Sequence, residues 1–141
     1  MSVMDSKLVY CESFDLSSIS ASSNSNVTNV LNHGAGRDWY DTAKTPDFGN
    51  GTAVYLNVIC EDTDFASAGS PVVTIDLHSA AAASMASPST HITVVTDKTP
   101  NDGTVIIKQA IPLDAIKQYT TINVATTAAL TAGAITAYLD P

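Results

Sequence analysis

The clearest hydrophobic pattern in the chain is a period of two, which is the signature of strands standing half-buried in a sheet. Thr52 to Cys60 puts Val54, Leu56, Val58 and Cys60 on one face and Tyr55, Asn57 and Ile59 on the other. Val72 to Ser79 alternates more cleanly, with Val73, Ile75 and Leu77 inward and Thr74, Asp76 and His78 outward. Shorter strands are predicted at Lys7–Tyr10, Asn26–Leu31, Ile92–Thr96 and Thr104–Ile111, the last stopped by Pro112, which cannot donate to a ladder. The C-terminal third predicts a strand from Tyr119 to Val124 and another from Ala134 to Leu139, read as a closing hairpin around Thr131-Ala-Gly133. In this second strand Ile135, Ala137 and Leu139 share one face, and a chain finishing inside a strand is expected to finish inside its sheet.

Helical periodicity is missing from this pattern. Ala80–Pro88 and Leu113–Gln118 each predict at most one helical turn. The punctuation is that of turns: Gly69-Ser-Pro71, and Pro100-Asn-Asp-Gly103, where proline fixes φ and glycine takes the left-handed position. About eight short strands with close turn signals make an all-β sandwich, and long cross-connections point to a jelly roll. Two stretches fall outside the pattern. Asp15–Ser25 is dominated by serine, so residues 1–25 are read as an extended N-terminal arm and 26–141 as the sandwich. Asn32–Gly51 is a loop of twenty residues, longer than a compact domain keeps without a task for it.

Composition narrows the function classes. At 141 residues one domain is expected. Only 14% of the residues are charged against 45% hydrophobic, which suits a chain with much of its surface covered, such as a subunit of an assembly. The net charge of −8, with six scattered cations, sets it against phosphate backbones, so no nucleic-acid partner is expected. No apolar run approaches the roughly 18 residues of a membrane helix. The start lacks the basic and apolar regions of a signal peptide. Cys11 and Cys60 are read as semi-buried thiols in a reducing cytoplasm rather than a bridge. Asn26-Val-Thr28 and Asn50-Gly-Thr52 then match the glycosylation pattern by chance.

Candidate chemistry is thin. His33, His78 and His91 lack metal spacing from one another or from a cysteine, and surface or hydrogen-bonded roles are expected for each. No Gly-x-Ser-x-Gly elbow is present, and neither cysteine has the flanking features of an activated thiol. Gly34-Ala-Gly36-Arg-Asp38 lacks the third glycine of a dinucleotide fingerprint. Glu61, Asp62 and Asp64, with Asp38 and Asp41, are the one set of carboxylates that could take Ca²⁺, but without the glycine and distal glutamate of an EF-hand they read as a solvated strand end. No enzyme, cofactor or metal is expected.

The order of features resembles the capsid cement, or decoration, proteins of short-tailed bacteriophages, of the Bordetella phage cement protein type. The matching residues are Asp5-Ser-Lys-Leu8, Ala21 to Val27, Tyr55-Leu-Asn-Val58, Leu77-His-Ser79, Ile111-Pro112-Leu113 and, residue by residue, Thr131-Ala-Gly133 to Leu139. Gln118-Tyr-Thr-Thr departs from a more Arg-Tyr-rich family pattern, so contacts through a basic residue there are not carried over. The resemblance implies a jelly roll on the outer capsid surface of the virion, without catalytic activity. Its partners would be the major capsid protein and copies of itself, as a dimer or trimer. Trp39, Tyr40 and Phe48 are candidate contacts because aromatic side chains carry much interface energy; Arg37, Leu8 and Tyr10 complete the set. Trp39 equally suits a cap over the domain's own core. Two other readings are a receptor- or glycan-binding β-sandwich, resting on Trp39, Tyr40 and the 61–64 carboxylates, and a cupin-like enzyme, which would need clustered histidines on adjacent strands.

Overall fold

The structure, a computed structural model, describes residues 8–33, 36–37, 43–44, 53–62, 64–67, 69, 71–96, 100–112 and 115–140. Its strands are β1 (Val9–Asp15), β2 (Ser23–Asn26), β3 (Leu31–Asn32), β4 (Gly36–Arg37), β5 (Ala43–Lys44), β6 (Tyr55–Cys60), β7 (Val73–Ala80), β8 (Ser89–Thr96), β9 (Val105–Ala110), β10 (Tyr119–Thr126) and β11 (Ala134–Asp140). One sheet runs β1-β11-β6-β9 and the other β2-β10-β7-β8, with β3 continuing the β2 edge along β10. Among the described residues, the short β4 and β5 pair only with each other.

Every ladder is antiparallel, and the pairing is nested. Among the strands of four residues or more, first pairs with last (β1 with β11), second with second-last (β2 with β10), then β6 with β9 and β7 with β8. This is one long hairpin rolled into two facing sheets, and the contacts of β11 with β6 and of β10 with β7 close the roll. This nested pairing makes the β-sandwich a jelly roll, as the long cross-connections predict.

Strand alternation builds the core between the sheets. Leu56, Val58 and Cys60 of β6 oppose Leu139, Ala137 and Ile135 of β11. On the facing sheet, Ile75 and Leu77 oppose Val124 and Ile122. All of these are buried to 3% exposure or less. Each such side chain stabilises by about 1.5–3 kcal/mol, so the inner faces of these four central strands are the main source of fold stability.

Four expectations need correction. The C-terminal strands do not form a hairpin: β10 and β11 are central strands of different sheets, and residues 127–133 cross between them. A period-two pattern names the faces of a strand but not its neighbour, and this crossover is pinned to a third segment. Thr127 N–H donates to Val72 O, and Thr131 N–H donates to Ala66 O at 2.8 Å. The arm boundary also moves. Of the expected arm, β1 is an edge strand bonded to β11 and most of β2 is an edge strand bonded to β10. Between them Leu16 and Ile19 enter the core through a 3₁₀ turn capped by Asp15.

The strand expected at 26–31 is interrupted because Asn29 leaves the β10 edge. Its N–H donates to Tyr10 O at 3.0 Å and its Nδ2 to Val9 O at 3.1 Å, so it joins the edges of the two sheets. Finally, the alanine-rich segment forms a turn, Met85 N–H to Ala82 O, and no helix. With proline and two positive-φ residues, Met85 and Ser87, it closes the β7–β8 hairpin.

Candidate functional site

Of the expected contact residues, Trp39, Tyr40 and Phe48 lie outside the described residues, as does most of the loop that carries them. Arg37 is described only through its backbone, paired in β4 with Ala43 of β5. Leu8 is half-buried and packs against the core. Tyr10 requires a correction. It is 0% exposed, so it has no surface to offer a partner.

Tyr10 instead anchors a buried polar cluster. Its hydroxyl lies 2.7 Å from Thr120 Oγ1, and His33 Nε2 lies 2.6 Å from the same oxygen. With neutral His33 accepting at Nε2, Thr120 donates to it and Tyr10 donates to Thr120, which satisfies every hydroxyl in the chain of bonds. Burial drives the Tyr10 phenol well above its ordinary pKa and lowers His33 to about 4. All three groups are therefore held neutral, which is the economical state for polar groups out of water. This cluster joins β1, the segment after β3, and β10. No spacing in the sequence signals it, because its members lie 87 and 110 positions apart.

The other two histidines are separate from it. His91 Nε2 sits 2.6 Å from Ser79 Oγ, which also accepts the Lys117 N–H. Burial first, and then the charges of Lys117 and His78, hold His91 below its usual pKa. Ser79 is fully buried and engaged, so this pair is a hydrogen-bonded joint and offers no nucleophile to solvent. His78 lies 3.8 Å from Asp76, whose other oxygen accepts from Thr93 of β8.

The acidic segment after β6 has a structural use. Asp62, with positive φ, accepts from the Ser13 hydroxyl, its N–H donates to Asp102, and Asp102 N–H donates to Asp64. The carboxylates thus tie the β1 bulge, the 61–64 segment and the 100–103 turn together. Among the described residues no group of three or more His, Cys, Asp or Glu side chains is placed to hold a metal ion. Both cysteines are buried thiols, Cys11 donating to Ile135 O and Cys60 to Pro100 O. Burial pushes the Cys11 thiol up to about 11 and raises Cys60, to which Asp64 and Asp102 add. Neither is poised for thiolate chemistry.

The described residues also line two open grooves. One, of about 460 Å³, runs between Ser13, Asp15 and Ser17 on one side and Asp62 and Thr131–Ala134 on the other. Bonds from the Ser17 side chain and backbone hold Asp15 below the usual carboxylate range. The other, of about 270 Å³, is neutral and carries the hydroxyls and amide of Ser22, Ser23, Asn24, Thr74, Thr126 and Thr127. Beside it, Asn123 Nδ2 donates to Asn26 Oδ1 at 2.8 Å and reaches Asn24 Oδ1 at 3.4 Å. What the arrangement offers is surface: a sandwich with uncharged hydroxyl and amide groups and with sheet edges that no described strand covers. The chain matches no protein-family model and no curated protein.

Proposed function

We propose that this chain is a structural virion protein: a capsid cement, or decoration, protein on the outer surface of a tailed-phage capsid. It binds the major capsid protein and copies of itself, stabilises contacts between shell subunits by buried interface, and carries out no catalytic step. The observation that carries the reading is how the two ends of the jelly roll interlock. β1 pairs with β11 and β2 with β10, so both ends of the chain are stitched into both sheets. A protein that clamps a shell under internal pressure bears load, and neither end of this one can leave without shearing strands from the other.

The motif with the closest resemblance to the cement proteins is part of that stitch. Gly133 of Thr131-Ala-Gly133 has φ +146°, and a Cβ there would meet the Phe65 ring at 3.0 Å. Its carbonyl accepts the Leu16 N–H at 2.9 Å, fastening the end of β1 to the start of β11. The motif thus has a physical reason to recur wherever this joint is built. The loop carrying Trp39, Tyr40 and Phe48 remains the proposed contact region.

The neutral hydroxyl- and amide-lined groove beside Asn24 favours a second reading, a glycan-binding sandwich of a phage tail or surface protein. Purified protein mixed with undecorated capsids and imaged by cryo-electron microscopy decides between them. Ordered added density on the shell is expected. A bare shell, with binding to a glycan array instead, replaces the first reading by the second.

A further inference from the structure

A two-sheet sandwich has four edges, and an open edge is a row of unpaired N–H and C=O groups that invites another strand. Three of the edges here carry protection. β1 has Glu12 and Asp15 along it and two register shifts. The β2–β3 edge is broken into pieces of four and two residues. β9 carries Lys108 and faces a register shift between Val58 and Ile59. The fourth edge is β8. Its own register shift lies at its N-terminal half, opposite Leu77 and His78. From Ile92 to Thr96 it pairs regularly with β7, and no described strand covers its outer side.

This segment has none of the usual guards. Ile92-Thr-Val-Val-Thr96 contains no charge, proline or glycine, and every residue is β-branched. Val95 is 56% exposed, the most exposed large hydrophobic side chain described. Ile92 is buried in the core.

We propose that the Ile92–Thr96 edge is a self-association surface, where a second copy of this chain adds its own β8 antiparallel across a two-fold axis. The inference does not depend on the capsid reading. Two arguments select a second copy. The chain carries −8, so its copies repel, and this neutral edge is where they can meet without opposing like charges in the joint. The segment also complements itself: pairing about Val94 sets each Val95 against the other copy's Thr93, covering the exposed valine twice in one isologous interface. Thr93 is already fixed by its 2.7 Å bond to Asp76. The joint would fuse the two β2-β10-β7-β8 sheets into one.

Sedimentation velocity of the free protein tests this. A dimer of about 29 kDa, twice 14.7 kDa, is expected. It should tighten as salt rises from about 0.1 to about 1 M, because the Debye length falls from about 10 to about 3 Å. Val95→Lys should weaken it by about tenfold or more, roughly 1.4 kcal/mol. Val105→Lys, at a 54% exposed valine on β9, should leave it unchanged. A monomer at every concentration overturns the proposal. So does a dimer indifferent to Val95→Lys, or one lost equally in both variants. A monomer whose Val95→Lys variant loses binding to another protein assigns the edge to that partner and also overturns it. Should Val95→Lys misfold, hydrogen exchange of the wild-type 92–96 amides decides: protection must rise with protein concentration.

Discussion

The two ends of this chain make an instructive pair. Residues 8–32 and 119–140 are bonded to each other along β1–β11, β2–β10 and β3–β10, yet their sequences look nothing alike. The C-terminal strands are central in their sheets and are buried on both faces, down to Thr120, Thr121 and Thr136. The N-terminal strands are edges, and from Ser23 to Asn26 no side chain is fully buried. A central strand must satisfy two ladders and two faces, so its composition is constrained and visible. An edge strand needs one ladder only, and β2 carries nothing but serine and asparagine. Weak strand character at 23–26 therefore says little about importance to the fold.

The strongest way to break that comparison is to remove residues 1–25. If the N-terminal strands were an accessory arm, the remaining sandwich would fold. Here the deletion takes away Val9, Tyr10, Cys11, Leu16 and Ile19, all buried. At about 1.5–3 kcal/mol for each side chain the loss is roughly 10 kcal/mol, comparable to a total stability of about 5–15 kcal/mol for a domain. The expected product is unfolded by circular dichroism. A truncated chain with a cooperative melt would return the segment to the status of an arm.

A smaller perturbation targets the joint between the two ends. Gly133→Ala places a Cβ on a backbone at φ +146° and drives it to 3.0 Å from Phe65 Cδ1. The strained conformation alone costs about 1–3 kcal/mol, and the Phe65 contact adds to it because the Phe65 Cα also lies only 3.4 Å away. A drop of about 3 kcal/mol in urea-melt stability is expected at unchanged m-value. A neutral substitution would mean that the joint relaxes freely and that the motif has no structural reason to be glycine.

What could be read in advance follows from the same contrast. β6 and β7 are legible because their alternation matches their burial: Leu56, Val58, Val73, Ile75 and Leu77 all lie inward. The existence of β10 and β11 is legible too, but their assignment to opposite sheets is not, because small residues on both faces suit any buried strand. Tyr10 reads as a candidate contact because no local signal reports a partner as distant as Thr120. The edge strand β8 is legible only over Ile92–Thr96, the half that pairs regularly; Ser89 and Thr90 lie beyond the bulge at His91. Sequence periodicity registers burial and local register, whereas which edges meet is decided by the closure of the roll.

The smallest expected effect, and the one that sharpens the comparison most, concerns pH. His33 joins the two ends by its bond to Thr120, and its pKa falls from 6.5 in the unfolded chain to about 4 in the fold. Between these values the unfolded chain binds the additional proton, so stability should be full above about pH 6.5 and decline as pH falls towards 4, where the loss saturates. His91, also lowered, adds in the same direction. Asp15, lowered from 3.8, withdraws its stabilisation only at still more acidic pH, so the two windows separate. Protonated Nε2 can only donate, so Thr120 Oγ1 must accept from it and its own hydroxyl proton loses the imidazole as acceptor. His33→Gln should therefore flatten, though not abolish, the slope between pH 4 and 6.5 in urea melts, with His91 supplying the remainder. An unchanged slope would show that His33 is neutral in neither state preferentially, and would remove the Tyr10–Thr120–His33 cluster from the list of bonds that hold the two ends together.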